Sequence, residues 1–90
     1  MSGDIKNHYA ELYQAILNLK TEEDCEVFFR DLCTIKELDS MTQRIKAAKL
    51  LIQGETYEQI IAKTEISSAT LSRVSRCVKH GEGYKKVLTK

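Results

Sequence analysis

The stretch TYEQIIAKTEISSATLSRVSRCVKHG, residues 56–81, decides the fold of this 90-residue chain. It opens with Thr56 and, three residues later, Gln59, which is the spacing of a capping box that satisfies free backbone N–H groups at a helix start. A serine then precedes a second apolar-periodic segment, which two glycines follow. The pattern therefore predicts two short helices, 57–64 and about 68–79, joined by a tight link in a helix-turn-helix arrangement.

The second of these helices has two distinct faces. At about 100° per residue, Val74 and Val78 fall within roughly 60° of Leu71, and these three residues form the predicted buried stripe. Cys77 lies at the edge of this stripe, where a packed thiol is expected. The opposite side carries small, hydroxylic and basic groups, and no acidic residue occurs along the helix. In the shorter helix before it, Ile60 and Ile61 are predicted to face inward.

The polar face of the second helix predicts contacts with double-stranded DNA. The major groove admits one α-helix, arginine can donate to guanine O6 and N7, and hydroxyls can serve bases or phosphates. The predicted DNA-binding residues are Ser68, Ala69, Thr70, Ser72, Arg73, Arg76 and Lys79. Lys46, Lys49 and Lys63 are further candidates for phosphate contacts.

The charge is divided unequally along the chain. Residues 1–40 carry four basic residues against nine acidic ones, a net charge of −5, whereas residues 41–90 carry ten against four, a net charge of +6. This division indicates that the back half alone would meet a polyanion. An ordinary charged helix surface is the alternative reading. The alternative function is a helical protein-interaction module that docks its basic helix on an acidic partner.

Apolar residues spaced three and four apart predict three more helices upstream. The third of them is a central helix with Leu38, Met41, Ile45, Ala48 and Ile52 inward, and Gly54 ends it. With the short segment YKKVLTK at 84–90, the result is an all-α fold of five to six helices in a single domain, 1–90. Residues 1–53 would hold the dimerisation and central helices, and residues 56–80 the helix-turn-helix. Helices one and two carry more apolar residues than one short chain can bury, which predicts a homodimer.

Other functional classes leave no signature in this sequence. It contains no nucleophile elbow, glycine-rich phosphate loop or HExxH motif, so we predict no enzyme activity. Its three cysteines form no CxxC pair and have no histidine at metal spacing, so we expect no metal or cofactor, and reduced thiols in a cytoplasmic protein. No apolar run approaches the roughly 18 residues of a membrane span, and the first residues do not read as a signal peptide.

The stretch from Leu32 to Lys79 resembles the tryptophan repressor family. The resemblance is carried by Leu32-Cys33-Thr34, by Thr42 through Arg44, by LLIQGE at 50–55 and by ATLSR at 69–73. More narrowly, the chain resembles the repressor-like subgroup whose members have no assigned effector. The resemblance implies an interlocked dimer whose two helix-turn-helix heads face successive major grooves. It also implies a transcriptional regulator, a repressor, that reads a pseudo-palindromic operator.

The resemblance further implies a small-molecule pocket between the central and recognition helices. In the family two arginines flank the indole of the corepressor, and their matches here are Arg44 and Arg73, while Thr34 matches a threonine that offers its carbonyl. Val74 stands where the family has glycine, which predicts that tryptophan does not bind here as it does in the relatives. A smaller ligand between the two arginines is the alternative. The turn between the helices is one residue shorter than in the family and offers Glu65, where many such turns prefer glycine.

Overall fold

The structure, a computed structural model, describes the backbone of residues 2–89 and the side chains of residues 8–89. Within residues 2–89 it contains six α-helices and no strand, so the all-α prediction is confirmed. The helices are α1 (Ser2–Leu17), α2 (Glu22–Leu32), α3 (Ile35–Ile52), α4 (Tyr57–Thr64), α5 (Ser68–His80) and α6 (Gly83–Leu88). They form two units, residues 1–34 with α1 and α2, and residues 35–90 with α3 to α6.

The first unit leaves much of its apolar surface uncovered. Thr21 begins α2, since its hydroxyl accepts the N–H of Asp24 at 3.0 Å. None of the eleven residues of α2, all of which the structure describes, is buried. Phe28 and Phe29 are half-buried, with ring centroids 5.3 Å apart. The large apolar side chains that remain exposed in this unit are Tyr9, Leu12, Tyr13, Ile16, Leu17, Val27 and Leu32.

The second unit is built around α3, which packs against α4, α5 and α6. Ala47 and Ala48 of α3 are fully buried, and their small side chains allow a neighbouring helix to approach closely. The same core cluster contains Ile60, Ile66, Leu71, Val74 and Val78. Burying each large apolar side chain contributes about 1.5–3 kcal/mol, so this cluster dominates the stability of the unit. The predicted stripe of α5 is confirmed, because all three of its residues belong to the cluster.

Two residues predicted to face inward, and one predicted to pack at the edge of the buried stripe, are exposed instead. Ile45 is 46% exposed, because α3 turns Ala47 and Ala48 towards the core. Ile61 is 37% exposed, since it lies about 100° round α4 from the buried Ile60. Cys77 is exposed for the same reason, lying about 120° from Leu71 on α5.

The link between α4 and α5 contains a residue in an unfavourable conformation. It consists of residues 65–67, and Glu65 adopts left-handed dihedral angles, φ 59° and ψ 19°. The N–H of Glu65 donates to the carbonyl of Ile61 at 2.9 Å, which ends α4. A residue with a Cβ atom in this region costs about 1–2 kcal/mol relative to right-handed backbone, whereas glycine adopts it freely. The core contacts on both sides of the link therefore hold Glu65 in a strained position.

We expect the substitution Glu65→Gly to increase the free energy of unfolding by about 1 kcal/mol, because glycine removes the Cβ clash and loses part of the gain to backbone entropy. Glu65→Ala is the matched control, since it removes the side chain and keeps the strain. Urea unfolding at constant protein concentration measures both variants. Equal stability of the glycine and alanine variants would show that the turn is unstrained.

Candidate nucleic-acid interface

Side-chain caps fix the start of both helices of the helix-turn-helix. The hydroxyl of Thr56 accepts the N–H of Gln59 at 3.2 Å, and Oε1 of Gln59 accepts the N–H of Thr56 at 2.9 Å, which completes the predicted capping box. At α5, Oγ of Ser67 accepts the N–H of Thr70 at 3.2 Å. Each such cap contributes about 1 kcal/mol and sets the residue at which its helix begins.

Most residues predicted to meet DNA lie on the outward side of α5. Those exposed are Ser68, Ala69, Ser72, Arg73, Arg76 and Lys79. Thr70 is half-buried, and its Oγ1 accepts a hydrogen bond from the Ser67 hydroxyl at 2.9 Å. Its hydroxyl therefore supports the start of α5, a role that the sequence pattern did not reveal.

The two arginines of α5 are available to a partner. Neither Arg73 nor Arg76 forms a salt bridge or a side-chain hydrogen bond with another of the described side chains. No acidic residue occurs in α5 to compete for them. Two exposed, unpaired guanidinium groups on one helix face present ten N–H donors to whatever that face meets. Lys79 lies in the last turn of α5, where the helix dipole favours a cation.

The three further lysines predicted to contact phosphates, Lys46, Lys49 and Lys63, differ in whether their charges are paired. Nζ of Lys63 lies 2.6 Å from Oε1 of Glu55, so its charge is partly neutralised within the chain. Lys46 and Lys49 are exposed on α3 and line a surface groove between α3 and α4 together with Lys63. Of the three, Lys46 and Lys49 keep their charges unpaired among the described residues.

The four residues of the implied effector pocket have unlike surroundings. Arg44 is half-buried, and its Nη1 donates to Oγ of Ser40 within α3 at 3.1 Å. Arg73 is exposed, whereas Val74, the next residue, is 1% exposed and belongs to the core cluster. Thr34 is the last residue of the first unit and directly precedes α3. The side chain of Val74 therefore packs in the core of the second unit.

A polar contact behind the turn was missed by sequence reasoning. Nε2 of Gln43 in α3 donates to the backbone carbonyl of Thr64, the last residue of α4, at 3.2 Å. Thr64 is almost buried, and its hydroxyl donates to the carbonyl of Ile60 at 2.7 Å and accepts the N–H of Ile66 at 3.3 Å. The one sequence signal for this contact is a threonine four residues after Ile60, on the side of α4 that faces the core.

Comparison with known proteins identifies the family. Residues 7–90 match the family described as Trp repressor protein. The chain belongs to the Trp repressor family. A crystal structure of a candidate Trp repressor from Staphylococcus aureus is 42% identical and superimposes with a TM-score of 0.88, covering 92% of this chain and 84% of that one. A TrpR-like protein from Eubacterium eligens ATCC 27750 is 43% identical, also with a TM-score of 0.88, over 92% of this chain and 87% of that one.

A comparison of sequences adds a relative from Bacillus subtilis. The uncharacterized protein YerC of Bacillus subtilis (strain 168) is 48% identical over 71 residues, which are 79% of this chain and 68% of that protein. The resemblance to the Trp repressor family, and to a subgroup without an assigned effector, is thus confirmed. The family and the fold are those of a DNA-binding regulator and not of an enzyme.

The described residues contain no group of three or more histidine, cysteine, aspartate or glutamate side chains arranged to hold a metal ion. None of their helices is both long enough and apolar enough to cross a membrane.

Proposed function

We propose that this chain is a sequence-specific transcriptional repressor that reads a pseudo-palindromic DNA operator as a homodimer. The observation that carries the proposal is the division of α5, which exposes Ser72, Arg73 and Arg76 while it buries Leu71 and Val74. Membership of the Trp repressor family supports the same reading.

The exposed face of α5 suits the chemistry of the major groove. Near the helix start, Ala69 lets the backbone approach the base edges and offers a methyl group to thymine. The hydroxyl of Ser72 can donate to or accept from a base or a phosphate. Arg73 and Arg76 can each donate two hydrogen bonds to O6 and N7 of guanine. Because α5 has no carboxylate, no side chain on it repels the phosphates.

A second copy of the chain is proposed to cover the apolar surface of α1 and α2. The exposed fractions there include 57% for Tyr13, 78% for Leu17 and 50% for Leu32. Large apolar side chains left in water in such number mark an interface, and a two-fold dimer lets the same surface pair with itself. The two copies of α5 would then read half-sites about 34–36 Å apart, one turn of the duplex.

The proposed repressor works without tryptophan. Val74 occupies the position where the resemblance places a glycine beside the indole, and it is packed in the core with Ala48 and Leu71. Its branched Cβ is stiff at χ1, so the side chain cannot rotate away. Forcing a ring against it would cost about 1–3 kcal/mol of overpacking. That cost weakens binding by roughly five- to a hundred-and-fifty-fold.

Replacing Arg73 or Arg76 by alanine is expected to weaken operator binding by about 1–3 kcal/mol and to relax the preference at one base pair, because the bonds to a guanine are lost. Lys79→Ala is the control, since loss of a phosphate contact weakens all sequences alike and lowers the salt dependence by about one charge. Fluorescence anisotropy at several salt concentrations, with an operator selected from random duplexes, measures both effects.

Unchanged binding by the Arg73→Ala/Arg76→Ala double variant, with its helicity intact, would rule out base reading by α5. Tight binding to an acidic protein, with no preference among DNA sequences, would favour the interaction module instead.

We expect the protein to sediment as a dimer at about micromolar concentration, because the dimer removes the apolar surface of the first unit from water. Leu17→Glu is expected to weaken dimerisation at least tenfold, since it would bury a carboxylate in that interface. The control is Val87→Glu in α6, the same kind of change at an apolar side chain that is 67% exposed in the second unit. A natural chain that stays monomeric in this range would disprove the dimer.

Calorimetric titration with tryptophan is expected to show no binding at micromolar concentration, and tryptophan is expected to leave operator affinity unchanged. The matched variant is Val74→Ala, which makes room beside Arg73 and should bind tryptophan more tightly than the natural chain. Micromolar binding by the natural chain that also tightens its DNA complex would refute independence from tryptophan.

A further inference from the structure

We propose that Gln43 is a positioning residue that holds α5 in its DNA-reading orientation by fixing the turn between α4 and α5. The inference rests on the proposed DNA-reading role of α5. Gln43 is half-buried in α3 and is bonded to the turn, and the proposed action on α5 runs through this bond.

Gln43 supplies a donor at the end of α4. The last carbonyl groups of an α-helix have no partner within their own helix and must find one elsewhere. Nε2 of Gln43 donates to the carbonyl of Thr64 at 3.2 Å across 21 residues of chain, in a partly buried position. The side chain thereby ties the end of α4 to the central helix.

Thr64 connects the end of α4 to the residues just before α5. Its hydroxyl donates to the carbonyl of Ile60 and accepts the N–H of Ile66, so it holds the backbone on both sides of Glu65. Ile66 is 2% exposed and directly precedes Ser67, the N-cap of α5. Hydrogen bonds thus run from α3, through Thr64, to the residue before the cap.

Glu65 needs these hydrogen bonds in addition to the core contacts on both sides of the link. A residue with a Cβ atom favours other backbone conformations over the left-handed one, so its neighbours must hold it there. The link has only three residues, so a change in the backbone dihedral angles of Glu65 would reorient the start of α5. The helix has 13 residues, about 20 Å, so a tilt of about 10° displaces its far end by roughly 3 Å. A hydrogen bond to a base edge does not survive such a displacement.

A residue that positions α5 and a residue that only stabilises the fold affect DNA affinity differently. A smaller fraction of folded protein lowers the affinity for every sequence in the same proportion. A displaced α5 loses contacts with base edges but keeps its attraction to phosphates, which does not depend on sequence. The ratio of operator affinity to the affinity for a shuffled duplex of equal length therefore separates the two roles.

The experiment measures this ratio for two substitutions of Gln43 and a matched control. Gln43→Met removes the donor without adding charge, and Gln43→Glu places an acceptor against the carbonyl of Thr64. The control is Gln53→Glu, which adds the same charge at an exposed glutamine just after α3 whose side chain has no hydrogen bond to the described residues. Thr64→Val tests the second link, since it keeps the shape and removes the hydroxyl.

We expect Gln43→Met, Gln43→Glu and Thr64→Val to lower the affinity ratio about tenfold, and Gln53→Glu to change it less than twofold. Circular dichroism and urea unfolding set conditions under which every variant is folded. The control variant excludes an effect of charge alone.

The possible failures are distinguishable. An unchanged ratio in Gln43→Met and Thr64→Val, or an equal fall in both affinities, overturns the positioning role and leaves the DNA-reading role of α5 intact. A natural chain that prefers no DNA sequence overturns the DNA-reading role itself, and the positioning role with it.

Discussion

Burial of the apolar stripe of α5 against α3 is the contact on which the rest of the second unit depends. Leu71 and Val74 of α5 share a core with Ala47 and Ala48 of α3. Successive helical residues are turned by about 100°, so fixing one side of a helix determines what the other side presents. The packing that hides Val74 is therefore the packing that exposes Arg73.

The short elements around this core are placed by local polar bonds. The α4 helix has eight residues, too few to be stable by propensity alone, so its capping box and its contact with α3 must hold it. In the turn after α4 the left-handed position is occupied by Glu65 and not by glycine, so the backbone there is strained. Core burial on both sides outweighs that strain, since a few side chains at about 1.5–3 kcal/mol each exceed a cost of about 1–2 kcal/mol.

The parts of the fold that the sequence predicted are those set by neighbours along the chain. Caps are local, so the bounds of α4 and the start of α5 were predicted correctly. The exposure of Ile45 depends on which face of α3 meets α5, and a single helix pattern does not contain that information. The bond from Gln43 joins residues 21 positions apart, and nothing in the sequence around Gln43 indicates its partner.

The same distinction holds at the candidate DNA-binding face. A helical wheel separates its exposed residues from its buried ones, because the wheel needs only the period of the helix. It does not predict that the hydroxyl of Thr70 is bonded to Ser67, since a threonine in the first turn can serve either the cap or a ligand. How each residue of that face is used depends on its hydrogen bonds as well as on its direction.

Val74 links the architecture to the proposed regulation. A ligand that holds a recognition helix in place does so to an extent that rises with its concentration until the site is saturated, because binding shifts the population by mass action. A side chain that fills the same space is present in every folded molecule, so its contribution is constant. Under our proposal the orientation of α5 then carries no small-molecule signal. Under the same proposal, the association of two chains still varies with concentration, and two linked copies of α5 would bind far more tightly than one. Operator occupancy would thus be controlled by dimerisation through the apolar surface of α1 and α2, and not by a ligand in the pocket that the family resemblance implies beside α5.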